Sequence, residues 1–117
     1  MEIKSATELL AALGHESRLA IFRLLVEAGP NGVVVGEIGD ALALPPATLS
    51  FHLNHLSRVG LIASQREGRF IRYSAAYATM DELIAFLTHN CCQGTSCLPK
   101  SSACASTEQR RPAEADR

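Results

Sequence analysis

Pro45-Pro46-Ala47-Thr48-Leu49-Ser50-Phe51-His52-Leu53-Asn54-His55-Leu56-Ser57-Arg58-Val59-Gly60 contains the start, the buried stripe and the end of one helix. Pro46 suits the first helical turn, where no backbone N–H is needed, and Gly60 ends the run after Val59. Leu49, Leu53 and Leu56 recur at i, i+4 and i+7, the spacing of a core-facing stripe. The face left outside carries Ala47, Thr48, Ser50, Phe51, Asn54, His55 and Arg58. Small and hydrogen-bonding side chains at a helix start suit base edges and phosphates in a major groove. Phe51 on that face needs a partner, and a thymine methyl group is one candidate. The expected DNA contacts on this helix are Thr48, Ser50, Phe51, His52, Asn54 and His55. An ordinary solvated helix could carry a similar face, so the flanking segments decide.

Upstream, Ala43-Leu44-Pro45-Pro46 makes a tight connection from a helix over residues 36–42, with Ile38 and Leu42 inward. Val33-Val34-Val35 before it reads as a short strand or as the lead into that helix. Downstream, residues 61–66 and 69–75 are strand-like, joined by Glu67-Gly68 as a two-residue turn. Period two puts Ile71 and Tyr73 on one face and Arg72 on the other. Arg66 and Arg69 flank the tip, where a wing would follow the DNA backbone. The expected fold is mostly α with a β-hairpin wing, a winged helix-turn-helix.

Two outer helices frame this module. Ser5 and Glu8 form a capping box opening the first helix, which runs to Leu13. A helix over residues 15–28 carries Leu19, Phe22 and Val26 on one stripe, with Leu25 beside it. Thr79 and Glu82 form a second box opening a helix over residues 79–89. Leu9, Leu10 and Leu13 of the first helix, with Met80, Leu83, Ile84 and Leu87 of the last, exceed what one small domain covers. They are the expected interface of a homodimer.

The chain has 117 residues and a formal net charge of −1, too little by itself to indicate nucleic acid. Its distribution says more. Residues 44–74 hold four arginines and one acid, while the segments before and after are net acidic. A positive field confined to one segment is expected if only that segment meets phosphates. No apolar run approaches the roughly 20 residues that cross a bilayer. No export signal opens the sequence, so a cytoplasmic protein with reduced thiols is expected.

The thiols are crowded. Cys91, Cys92, Cys97 and Cys104 lie within fourteen residues, and the first 90 residues contain no cysteine. Core cysteines would be scattered among the apolar stripes, so the crowding suggests a site built of sulfur. The expected organisation is a DNA-binding and dimerisation domain over residues 1–92 and a cysteine-containing tail over 93–117, largely disordered beyond about residue 105.

Three blocks in order resemble the ArsR/SmtB family of metal- and metalloid-responsive repressors. They are Ala12-Leu13-Gly14-His15-Glu16-Ser17-Arg18-Leu19-Ala20-Ile21-Phe22-Arg23-Leu24-Leu25, then Leu49-Ser50-Phe51-His52-Leu53-Asn54-His55-Leu56, then Gly60-Leu61-Ile62-Ala63-Ser64-Gln65-Arg66-Glu67-Gly68-Arg69. The match covers about residues 5–92. The resemblance implies a homodimer paired through the first and last helices, with two reading helices on an inverted repeat of double-stranded operator DNA. It implies that an effector releases the DNA and derepresses a resistance operon. One arsenic-sensing pattern of the family needs a Cys-x-Cys pair before the reader, and Val35-Gly36-Glu37-Ile38-Gly39-Asp40 has no cysteine. The zinc-sensing pattern needs more ligands than the Asp81, Glu82 and His89 offered by the last helix. Asn90-Cys91-Cys92-Gln93-Gly94-Thr95-Ser96-Cys97 is similar to the branch in which adjacent cysteines ending that helix, plus one further on, bind trivalent arsenic.

The chemistry agrees with that branch. Soft thiolates select thiophilic ions, and As(III) or Sb(III) accepts three sulfurs in a pyramid. Adjacent helical residues point about 100° apart, so Cys91 and Cys92 converge only if the helix frays there, which Gly94 permits. Cys97 would close the pyramid, with Cys104 a possible extra ligand. No organic cofactor is expected. Other readings stay open: another soft metal, a disulfide redox switch, or idle thiols in a tail. A tetrathiolate zinc site fits this spacing poorly. A thiol enzyme such as an arsenate reductase needs an activated cysteine, typically at a helix N-terminus; these lie at a helix C-terminus, so no enzyme is expected.

Overall fold

The computed structural model describes residues 1–89, and all four cysteines lie outside them. The compact unit Met1–Leu87 contains five helices and three strands: α1 Ile3–Leu13, α2 Glu16–Ala28, β1 Val33–Val34, α3 Val35–Leu42, α4 Pro46–Arg58, β2 Ile62–Glu67, β3 Phe70–Ala75 and α5 Tyr77–Leu87. The strands form one antiparallel sheet in the order β1-β3-β2. This is the winged helix-turn-helix expected: α3 and α4 joined by a tight turn, then a hairpin. Val33–Val35 does both things considered for it, pairing with Tyr73 and Arg72 through two residues before Val35 opens α3.

The core sits where the helices meet the sheet. Ile21 and Leu25 of α2, Ile38 of α3, Leu53 and Leu56 of α4 and Leu61 ahead of β2 are its largest fully buried side chains. The α4 stripe is as expected, with Leu49 buried beside them. The α2 stripe is rotated. Ile21, Phe22 and Leu25 are buried while Leu19 is exposed, because α2 packs against α1, α3, α4 and β3 at once and needs a broader inward face.

Local corrections follow from hydrogen bonding. Neither expected capping box is used, since each helix starts two residues earlier. Glu2 precedes α1 without a side-chain cap, and Ser5 lies inside the first turn. α5 grows directly out of the sheet: the Ala76 N–H donates to the Leu61 carbonyl at 2.8 Å, and the Met80 N–H already donates to the Ala76 carbonyl. The Tyr77 hydroxyl donates to the Val26 carbonyl at 3.0 Å and ties the start of α5 to the end of α2. The hairpin turn is Gly68-Arg69, one residue later than expected, because Glu67 pairs with Phe70 as the last rung. Gly68 alone takes positive φ there, the pattern of a type II′ turn.

α4 ends in a Schellman motif. The Gly60 N–H donates to the Ser57 carbonyl and the Leu61 N–H to the Leu56 carbonyl, with Gly60 at φ 88°. Leu56 and Leu61 close it with the usual apolar contact, both fully buried. The stop therefore turns the chain from α4 into β2 and sets where the hairpin begins. Among the described residues no helix is long and apolar enough to cross a membrane.

Candidate nucleic-acid interface

The outward face of α4 is largely as expected. Ala47, Thr48, Ser50, Phe51, Asn54 and Arg58 are exposed and His55 is half-buried. Phe51 is 65% exposed, an apolar ring held in water on a face otherwise polar. His52 is the exception. It is 5% exposed and lies on the inward side beside Leu49, Leu53 and Leu56, so it is not a surface contact. The reason is helical phase: position 52 follows Leu49 by three and precedes Leu56 by four, which places it in the core stripe.

His52 is held by Arg18 of α2 and by His15 at its N-cap, which sequence reasoning did not assign to this region. Arg18 Nη1 lies 3.4 Å from His52 Nδ1. The His15 and His52 rings have centroids 4.6 Å apart, and Phe51 meets the His52 ring edge-on. Burial first, then the charges of His15, Arg18 and His55, pushes the His52 pKa below its ordinary value. Burial, then Arg18 and Arg58, does the same to His55. Both imidazoles are thus biased toward the neutral form.

On the hairpin, Arg66 and Arg69 are exposed, and no ion pair involves them among the described residues. Arg72 differs. Its Nε donates to both carboxylate oxygens of Glu67 at 3.1 Å, and its Nη1 reaches the Asn31 carbonyl. Glu67 thus pairs with Arg72 in the middle of β3, and no ion pair among the described residues engages Arg66 or Arg69 near the tip. Phe70, 59% exposed beside Arg69, is a further apolar side chain on the hairpin that the alternation pattern did not single out.

These positions give a first test. Arg66→Ala and Arg69→Ala should each weaken binding to all DNA sequences and lower the slope of log affinity against log salt by about 0.9 per lost phosphate contact. Thr48→Ala or Ser50→Ala should instead reduce discrimination between operator and random DNA, by about 1–3 kcal/mol for a lost base contact. Anisotropy titrations at several salt concentrations separate the two; wing variants with full affinity and an unchanged slope would show that the hairpin is not a wing.

Outside this face, α1 and α5 pack on one another. Leu9 and Leu83 are buried in the core of the unit, so they are not available to an outer interface. Met80 and Leu13 are half-buried. The apolar surface that remains comes from Leu10, Ile84 and Leu87, together with Ile3, which the sequence reading missed because it placed the helix start at Ser5. Among the described residues no group of three or more His, Cys, Asp and Glu is placed to hold a metal ion.

A reading helix in a helix-turn-helix, a hairpin with two free arginines at its tip and a Schellman turn joining them define a winged helix-turn-helix DNA-binding protein. Comparison with known proteins agrees. Residues 13–65 match the helix-turn-helix domain family. The chain is 35% identical over 81 residues to the HTH-type transcriptional regulator MJ1325 of Methanocaldococcus jannaschii, covering 69% of this chain and 89% of that one. Among solved structures it is similar to an ArsR-like transcriptional regulator from Rhodococcus sp. RHA1, with a TM-score of 0.63 and 28% identity over 72% of this chain and 76% of that one. It is also similar to reduced HlyU from Vibrio cholerae, with a TM-score of 0.61 and 32% identity over 77% and 92%. The chain belongs to the ArsR/SmtB-like winged-helix family of HTH transcriptional regulators.

Proposed function

We propose that this regulator is a cytoplasmic, non-enzymatic repressor that binds an inverted-repeat operator as a homodimer and releases it when trivalent arsenic or antimony binds Cys91, Cys92 and Cys97. The observation that carries the effector is the donor set: three thiols within seven residues, starting four positions after the last residue of α5, in a chain with no other cysteine before them. Three soft thiolates suit a thiophilic, pyramidal ion better than zinc, which takes four ligands. Arsenite added to the intact reduced chain should lower the thiols reactive with a disulfide reagent from four to one, at one arsenic per chain. Four reactive thiols at saturating arsenite would reject the assignment.

A second reading is a thiol redox switch, favoured by the relative described in a reduced form. The same thiol count separates the two, since a disulfide removes thiols with oxidant and without arsenic.

Pairing of two copies is supported by the exposed Ile3, Leu10, Ile84 and Leu87 on the α1–α5 side. Leu10→Glu should convert a dimer to a monomer in sedimentation, because a carboxylate buried there without a partner costs several kcal/mol. Operator affinity should fall with it. A wild-type chain that sediments as a monomer at micromolar concentration would remove both the interface and the inverted repeat.

A further inference from the structure

Arg18 joins three helices. Its Nε donates at 2.6 Å to the carbonyl of Ala12, in the last turn of α1, where helix carbonyls have no donor of their own. Its Nη1 faces Nδ1 of His52 in α4. A guanidinium only donates, so this contact is a hydrogen bond only while Nδ1 keeps its lone pair and the ring proton sits on Nε2. His15 caps α2 by accepting from the Ser17 N–H at 3.1 Å, which fixes its ring over His52.

The groups acting on His52 are all cations or potential cations. Arg18 and His15 face it from the α2 side and His55 from its own helix, with Phe51 at its edge; α1 contributes only the Ala12 carbonyl, already taken by Arg18. No carboxylate is among them. A proton on Nδ1 would lose the bond to Arg18 and place a buried cation against a guanidinium.

We propose that Arg18 and His52 are positioning residues that fasten the reading helix to the end of α1 through a neutral imidazole, so that mild acid weakens sequence-specific DNA binding independently of the cysteines. The proposal rests on the reading of α4 as the DNA-contacting helix. The sign follows from linkage. His52 is held below its ordinary 6.5 in the fold, so the unfolded chain takes up the proton first. The stabilisation is complete above the ordinary value and is lost as pH falls through the folded one. His55, on the reading face, works the other way, because its protonation adds charge toward phosphates of any sequence. The ratio of operator to random-DNA affinity removes that contribution.

The test uses the full chain and a duplex that the protein itself selects from a random library near neutral pH, with an unselected duplex as control. From about pH 7.5 to about pH 5.5 the affinity ratio should fall, by less than about tenfold, because one required deprotonation gives at most tenfold per pH unit below the pKa and His52 is held below 6.5. His52→Gln offers an amide oxygen to Arg18 without titrating, so its ratio should be flat over this range. A flat wild-type ratio, or an acid loss in His52→Gln equal to wild type, would overturn the proposal. Should His52→Gln not fold, nitrogen NMR of the wild-type imidazoles decides it. A bare Nδ1 on His52 that titrates in step with the affinity ratio supports the proposal, and a protonated Nδ1 near neutral pH contradicts it. A chain that selects no duplex would overturn the DNA-contact reading and the acid effect with it, while the tautomer would still report on the Arg18–His52 link alone.

Discussion

Serine at Cys91, Cys92 or Cys97 should leave operator binding nearly intact and remove its response to arsenite. The basic hairpin and the reading helix lie within residues 44–74, well before the first cysteine, so no thiol is needed to hold DNA. Release is a different matter. Moving operator occupancy from 99:1 to 1:99 requires the effector to favour the DNA-free form by about 5.5 kcal/mol. A hydroxyl is a hard, weakly bonding replacement for thiolate, so losing one of three sulfurs should remove most of that difference. Cys104→Ser should matter little, because Cys104 follows Cys97 by seven residues and comes after Pro99. Anisotropy of labelled operator against arsenite concentration measures each variant. A Cys97→Ser protein that releases DNA at wild-type arsenite levels would overturn the three-thiol assignment, and an equal loss in Cys104→Ser would move the third ligand there.

The second large effect concerns stability. Leu56→Ala should lower the unfolding free energy by about 2–5 kcal/mol, the range for truncating a buried leucine. Leu56 is fully buried and forms the apolar half of the Schellman motif with Leu61, so its loss opens a cavity where α4 turns into β2. Small domains have only about 5–15 kcal/mol in total. Phe51→Ala on the same helix is the contrast: its ring is mostly in solvent, so stability should hardly change while operator binding falls. Urea denaturation followed by circular dichroism reports both. A Leu56→Ala midpoint equal to wild type would mean that the α4 stripe does not carry the core.

The order of helices, turn and hairpin is legible in the chain because strong local signals mark it: Pro46 and Gly60 around the reader, period two through Ile71 and Tyr73, and arginines beside Gly68. Less legible are the features that depend on neighbours distant in sequence. Two capping boxes are present but unused, because α1 begins at Ile3 and because the sheet hands Ala76 directly to α5. The α2 stripe is rotated toward Ile21 because three other helices and a strand share that side. His52 follows the core phase of α4, and its polar ring is tolerated there only because Arg18, 34 positions earlier, is folded beneath it. Leu9 and Leu83 fit a dimer face by periodicity alone, yet both are buried in the core of their own unit. The cysteine site, by contrast, is read from residue type and spacing, and it lies outside the described residues.

Titrating arsenite into the wild-type protein bound to labelled operator, with a phosphine reductant in place of a competing dithiol, tests the central claim most directly. Anisotropy should fall to the value of free DNA as arsenite fills the thiols, and an oxidant without arsenic should not be needed. An operator complex that keeps its full anisotropy at saturating arsenite would contradict it.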